Sequence, residues 1–172
     1  MKKTFLLLGT AACFVFTSCD KEDNDDTNTQ DTTFMNQATY INLGEIASGE
    51  IAKTKASEAV VKEFGEMMIT DHTTAHNDLK TVAERINHTL PGDTDKKHKD
   101  MAALLMSLDG RAFDSTYMHM MVKGHNEAIM LHEQQLMGGD NPAVVAYAEN
   151  KIRVIKHHRM MADSIARVLF PE

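Results

Sequence analysis

From residue 34 to the end of the chain, apolar residues recur every three or four positions and almost nowhere alternate, which predicts helices and no strands. Four long segments carry the pattern. The first covers residues 34–56. Ser57 is placed to cap the second, which runs to about residue 88, where "TLPGD" stops it. A shorter helix is expected over residues 95–108, ending at Gly110. The third long helix covers about residues 113–137 and is broken by "GGD". Asn141 as cap and Pro142 at the first helical position then start the fourth, which ends by Pro171.

At 100° per residue each long segment gathers its apolar residues on one stripe. The second collects Val61, Phe64, Met68, His72, His76, Leu79, Val82, Ala83 and Ile86; the third Met118, Met121, Val122, His125, Ile129, His132 and Leu136. The fourth collects Val144, Ile155, His158, Ala162, Ile165 and Leu169. The first is less regular, with Phe34, Ala38, Ile41, Glu45, Ser48, Ala52 and Ala56 on one face and Ile46 and Ile51 off it. Short connections from first to second and from third to fourth make those pairs antiparallel. The expected architecture is an all-α, up-down-up-down four-helix bundle over residues 34–170, with the short extra helix between the second and third long ones.

An ionisable residue interrupts every stripe near its middle: Glu45, His72, His125 and His158. Counted from the end that holds the two short connections, they lie about 18, 22, 22 and 27 Å along their helices, within roughly two turns of one height. Carboxylate and neutral imidazole are the groups that bundles present to metals from facing helices, and a buried polar group without a partner is costly. One reading is therefore a mid-bundle site for a copper or iron ion, with Met68, His76 or Met121 as additional ligands. The other is a structural layer in which Glu and His satisfy one another and fix helix register. The segment "YMHMMVKGHNEAIMLHEQQLM", residues 117–137, holds five methionines and three histidines. Met68, Met118 and Met121 read as core packing. His119, Met130 and Met137 fall together on the outer face, where thioether and imidazole could make a weak copper-capturing surface.

Upstream of the helices, Lys2 and Lys3 precede the apolar run "TFLLLGTAACFVF" and the sequence "TSCD". This reads as a signal peptide over residues 1–18, and Thr17-Ser18-Cys19 resembles a bacterial lipobox with Cys19 as the lipid attachment point. The protein is then expected in the bacterial cell envelope, held to the outer membrane by lipid chains and facing the periplasm or the surface. Cys13 would leave with the signal and Cys19 would be acylated, so no disulfide is expected. Residues 20–33, "DKEDNDDTNTQDTT", contain no apolar residue and are expected to form an acidic, solvated tether. Without Lys2 and Lys3 the chain carries 16 basic against 25 acidic residues, a net charge of −9 with histidine neutral. Nucleic-acid binding, which depends on Lys and Arg meeting phosphates, is excluded on that ground.

"GEIASGEIA", "FGEMMITDHTTAHNDL", "AFDSTYMHMMVKGHNEAIMLHE" and "KHHRMMADSI" together resemble the successive helices of the ferritin-like domain-of-unknown-function family 4142. The resemblance implies a Glu in the first helix, here Glu45, and an Asp-His pair in the second, here Asp71 and His72. It also implies one His in each of the third and fourth, here His125 and His158. Gly124 stands where relatives often have Asp. The His and Met rich stretch is also similar to family 305, some of whose members bind copper. Ferritin-type di-iron centres use Glu-x-x-His on two helices, and no Glu-x-x-His occurs in this chain, which argues against a ferroxidase. The expected function is an envelope lipoprotein that handles metal or protects against stress without established catalysis; the alternative is a non-catalytic interaction module.

Overall fold

The computed structural model describes residues 27–171 of the 172-residue chain; the signal segment, Cys19 and the first part of the acidic run lie outside the described residues. Five helices and no strand occur among the described residues: α1 Thr29–Lys55, α2 Ala59–Arg85, α3 Lys96–Met106, α4 Gly110–Gly138 and α5 Pro142–Leu169.

Helix α1 begins five residues before the expected start, inside the stretch read as tether. A search for apolar residues overlooks the reason, because the helix is started by polar ones. Asn28 and Asp31 form a reciprocal capping box, worth roughly 1–2 kcal/mol. The buried Asp31 carboxylate also accepts from Gln135 Nε2 at 2.5 Å and from the Asn141 N–H at 3.0 Å, which ties the start of α1 to the α4–α5 turn. Ser57 does not cap α2. Glu58 is the N-cap residue and makes no side-chain cap. The Asp114 carboxylate of α4 takes its place, accepting the N–H groups of Ser57 at 3.0 Å and Glu58 at 2.9 Å together with the Ser57 hydroxyl. At its other end α2 stops at Arg85. Asn87 takes a left-handed φ of 54°, and the His88 N–H closes back on the Ala83 carbonyl at 2.9 Å, a Schellman-type ending. Asn141 caps α5 as expected, accepting from the Ala143 and Val144 N–H groups ahead of Pro142.

The order of directions differs from the expected one. Asp114, near the start of α4, meets the α1–α2 connection, while Gly138, at its end, accepts from Asn28 Nδ2 at the start of α1. Helix α4 is thus antiparallel to α1 and parallel to α2. Arg111 reaches the Leu169 carbonyl, so α5 returns alongside α4. The long helices run up, down, down and up. Residues 86–109, with α3 among them, cross from one end of the bundle to the other beside α1: His88 meets Asn36 in the first half of α1, Thr94 bonds the Tyr40 carbonyl near its middle, and Lys55, at its end, bonds the Met106 carbonyl. Assuming the shortest connection makes neighbours antiparallel, but this segment is long enough to span the bundle in either direction.

Burial follows a heptad. On α4 the buried residues Met118, Met121, His125, Ala128, His132 and Gln135 step by three and four in strict alternation, whereas Leu136, expected on the stripe at 100° per residue, is exposed. A 3.5-residue seam is the signature of long helices winding around one another with left-handed twist. Gly49 and Gly65 let α1 and α2 touch backbone to backbone: a Cβ at Gly49 would lie 2.7 Å from the Gly65 carbonyl oxygen.

Two apolar clusters fill the interior. One, including Ala52, Phe64, Met68, Phe113, Tyr117 and Met121, lies toward the α1–α2 connection. The other, including Phe34, Leu79, Val144 and Tyr147, lies toward the α4–α5 turn. Between them stands a buried polar layer of Asn42, Glu45, Ser48, His72, His125 and His158.

Candidate metal centre

His72, His125 and His158 come from three helices, and one nitrogen of each lies within 4.8 Å of the others. The surroundings of each ring decide which nitrogen carries the proton. His125 Nδ1 is 2.8 Å from the Met121 carbonyl, which can only accept, so Nδ1 is the donor and Nε2 holds the lone pair. His158 Nε2 is 2.9 Å from the Asp71 carboxylate, which leaves the lone pair on Nδ1. His72 Nδ1 is 2.9 Å from Asn42 Oδ1. That amide's orientation is set by a chain of bonds: Asn42 Nδ2 donates to the Tyr147 hydroxyl at 3.3 Å, and the hydroxyl donates to the Ala75 carbonyl at 3.1 Å. His72 therefore also presents its lone pair, at Nε2. The three remaining nitrogens, His72 Nε2, His125 Nε2 and His158 Nδ1, are buried and have no hydrogen-bond partner among the described residues.

Three lone pairs facing one another repel, and none can donate to another. Each ring is oriented by an acceptor behind it, the arrangement by which outer partners fix the tautomer of metal-binding histidines. Burial holds all three imidazoles neutral. His125 is lowered to about 4, mainly by burial and further by His158, against the pull of the Met121 carbonyl. His72 falls well below the usual histidine range through burial and then the charges of its neighbours. In His158 burial outweighs the opposing hydrogen bond and charge of Asp71. No proton competes for the lone pairs at neutral pH.

Of the residues proposed from the sequence, the structure joins His72, His125 and His158 and sets Glu45 beside them. Glu45 Oε1 is 4.0 Å from His125 Nδ1, on the donor side of that ring, and its Oε2 is buried without a partner among the described residues. Burial pushes the Glu45 carboxyl up to about 8 against a smaller pull from Lys97. Gly124 leaves room for it, since a Cβ there would come within 3.3 Å of Oε1. Met68 and Met121 belong to the apolar cluster above the layer. His76 is half-buried on a separate groove with Lys80, Glu84 and His88. Eighteen residues of helix separate His119 from Met137, about 27 Å, so His119, Met130 and Met137 cannot share one ion.

Sequence reading also missed Asn42 and Tyr147, and it placed His132 on the stripe of the third long helix without counting it among the candidate ligands. Asn42 is on the heptad seam, where a strict 100° stripe puts Ile41, so a 3.5-residue count would have found it. Tyr147 and His132 are buried and stacked, ring centroids 6.4 Å apart; polar groups on apolar stripes were the signal, but neither sits at the height of the other histidines.

A fold with these features can be placed among known proteins. The family model described as "Domain of unknown function (DUF4142)" matches residues 17–165. The chain belongs to the DUF4142 family. This DUF4142 chain is also similar in structure to the DUF305 fragment from Deinococcus radiodurans, with a TM-score of 0.71 and 11% identity, covering 81% of this chain and 97% of that one. A DUF305 protein of Streptomyces coelicolor, to which secretion is attributed, is similar with a TM-score of 0.59 and 11% identity, covering 85% of this chain and 91% of that one. At such identity the likeness concerns the fold of the DUF4142 chain. No curated protein matches it. Among the described residues no helix is long and apolar enough to cross a membrane.

Proposed function

We propose that this protein is an envelope lipoprotein that binds one transition-metal ion, copper or iron, between His72, His125 and His158. The observation that carries the reading is the convergence of three unprotonated imidazole nitrogens, each ring held from behind by an acceptor. Imidazole suits copper, zinc and iron, and the order of affinities for nitrogen donors puts copper(II) first. Glu45 stands behind His125, its Oε1 4.0 Å from Nδ1, as a polar neighbour of the ring on the side away from the free Nε2. The donor set fits a single ion better than a carboxylate-bridged pair, because among the described residues Glu45 is the one carboxylate buried in the layer. Two antiparallel helix pairs joined by one long crossover is the connectivity of ferritin-like bundles, which supports the ferritin-like assignment. Cys19, after a lipobox-like "TSC", supplies the proposed anchor, and metal handling or protection from metal stress at the envelope is the proposed role.

Thermal melts with and without copper, iron and zinc test the reading. An ion that binds only the folded state at 100 times its dissociation constant stabilises by about 2.7 kcal/mol, roughly a 5–10 °C rise in Tm for a domain of this size. His72→Ala, His125→Ala and His158→Ala should each remove most of the rise, and His88→Ala should keep it. Absence of a saturable rise in the wild type would leave the layer a purely structural device. Fatty-acid labelling that persists in Cys19→Ala would remove the anchor from the proposal.

A further inference from the structure

Between the histidine layer and the apolar cluster of Phe34, Leu79 and Tyr147 lies a cavity of about 150 Å³. It opens between α2 and α5, where Thr74 is exposed and Val154 is 42% exposed. Ala38 of α1 and Ala75 of α2 are too short to fill the interior there, and packed cores keep few spaces so large. One wall is the back of two rings. His72 Nδ1 meets Asn42 and His158 Nε2 meets Asp71, so the nitrogens left for an ion are turned away from the cavity. Asn42 and Tyr147 are already committed to the chain of bonds that orients His72. Ile41, Val154 and Ile155 make the rest of the wall largely apolar.

Two charged side chains also line the space. Lys151 is neutralised by Asp78 and stands two turns of α5, about 10 Å, from His158. Asp71 is beside His158, and its side chain is 40% exposed. One Asp71 oxygen accepts from His158 Nε2 at 2.9 Å; the other has no partner among the described residues. Burial holds His158 neutral, so no cation among the described residues balances the Asp71 charge.

An apolar cavity of this volume accepts a ring the size of benzene. Small-molecule sites commonly enclose an apolar body and fix it with a few polar groups, and the polar group on offer here is an unbalanced carboxylate. We propose that the cavity binds a small organic ammonium ion, its body of about six to eight carbons against Ile41, Ala75 and Ile155 and its ammonium on the free oxygen of Asp71. A neutral molecule of the same shape leaves the carboxylate unmatched, and an anion meets it with like charge. Because Asp71 is part exposed, the ammonium keeps some of its water, which limits the cost of dehydrating it. The rings of His72 and His158 stand between this site and the metal position, so the proposal is independent of metal binding.

The full-length chain, kept metal-free with chelator near neutral pH, would be titrated by calorimetry with benzylammonium, benzyl alcohol and benzoate, which share a ring and differ in charge. Benzylammonium should bind saturably, one per chain, and about tenfold or more tighter than benzyl alcohol, with benzoate weakest. Val154→Trp and Ala75→Leu fill the mouth and the interior from α5 and α2, and each should weaken benzylammonium by about tenfold or more. Asp71→Asn keeps an oxygen for His158 and removes the charge. It should bring benzylammonium within about threefold of benzyl alcohol and leave the alcohol unchanged. The proposal is overturned if wild type binds no benzylammonium saturably, if it binds the alcohol or benzoate equally well, if both filled variants bind as wild type does, or if Asp71→Asn keeps the preference for the cation. Fills on two helices, and a comparison of three probes on the wild type, hold the test open should one variant not fold.

Discussion

Asp114 and His125 are both buried on α4, about three turns apart, and their surroundings are opposite. Every donor near Asp114 is aimed at it: two backbone N–H groups and a hydroxyl from the α1–α2 connection. Asp31 at the other end is equally enclosed, with Asn28, Gln135 and Asn141 donating. Around His125 the acceptors gather instead, and its Nε2, like the free nitrogens of His72 and His158 in the same cluster, has no donor among the described residues. Polar groups that serve the fold are closed within the fold. Those of the middle layer are left open toward one point, as expected if something from outside completes them.

The comparison can be broken at either side, and the closed side should give the largest effect. Asp114→Ala would strand the Ser57 and Glu58 N–H groups in a partly buried turn and should lower stability by on the order of 3–4 kcal/mol in urea melts, with Asp31→Ala close behind. A loss under 1 kcal/mol for both would show that the carboxylates are not structural pins.

Acid should act next, and in the metal-free protein through the open side. His125 and His132 are each lowered to about 4. Between about pH 6.5 and 4 the unfolded chain binds protons that the folded chain refuses. Stability is thus full above pH 6.5 and falls as pH drops toward 4, by on the order of 3 kcal/mol for each ring. Glu45 has the opposite sign. Raised to about 8, it keeps its proton in the fold while the unfolded chain loses it above pH 4.5, so stability declines as pH rises toward 8. Denaturant melts with chelator across pH 4–9 should show both flanks, and Glu45→Gln should flatten only the alkaline one. An alkaline flank unchanged by that substitution would mean that Glu45 is already ionised in the fold.

A smaller effect sharpens the contrast. His125→Leu removes an unpartnered nitrogen, so it should change the stability of the metal-free protein by no more than about 1 kcal/mol while abolishing any metal-dependent shift. A loss of several kcal/mol without metal would make the layer structural. Least of all, removing the exposed Lys156–Glu133 pair should cost under about 0.5 kcal/mol.

The sequence carried the helices and the three histidines further than it carried the connections. Apolar spacing located four long helices within a few residues, because packing faces repeat and Asn141-Pro142 is a strong start. It lost the beginning of α1 because Asp31 acts through a turn 110 residues away, and no local pattern reports that. It gave α4 the wrong direction for a similar reason: residues 86–109 can cross the bundle or stay at one end, and only distant contacts decide. The site survived that error because His125 stands near the middle of α4, and a residue at mid-helix keeps its height when the helix is reversed. Asn42 was lost because the α1 seam turns every 3.5 residues, not 3.6, and Tyr147 because it acts on His72 only through Asn42, from a different height.

The two short connections divide the molecule into an α1–α2 half and an α4–α5 half, and the histidines straddle the division: His72 from the first, His125 and His158 from the second. Each half can zip locally, whereas docking them must close the long loop through α3, the step that chain entropy makes slow. An ion seated among the three rings would then act as a latch across that seam. It would leave the fraying of each half unchanged and suppress the sub-global opening in which the halves part, so amides of α2 and α5 facing the division would exchange with solvent far more slowly, and an ion once captured would leave only as fast as the halves separate.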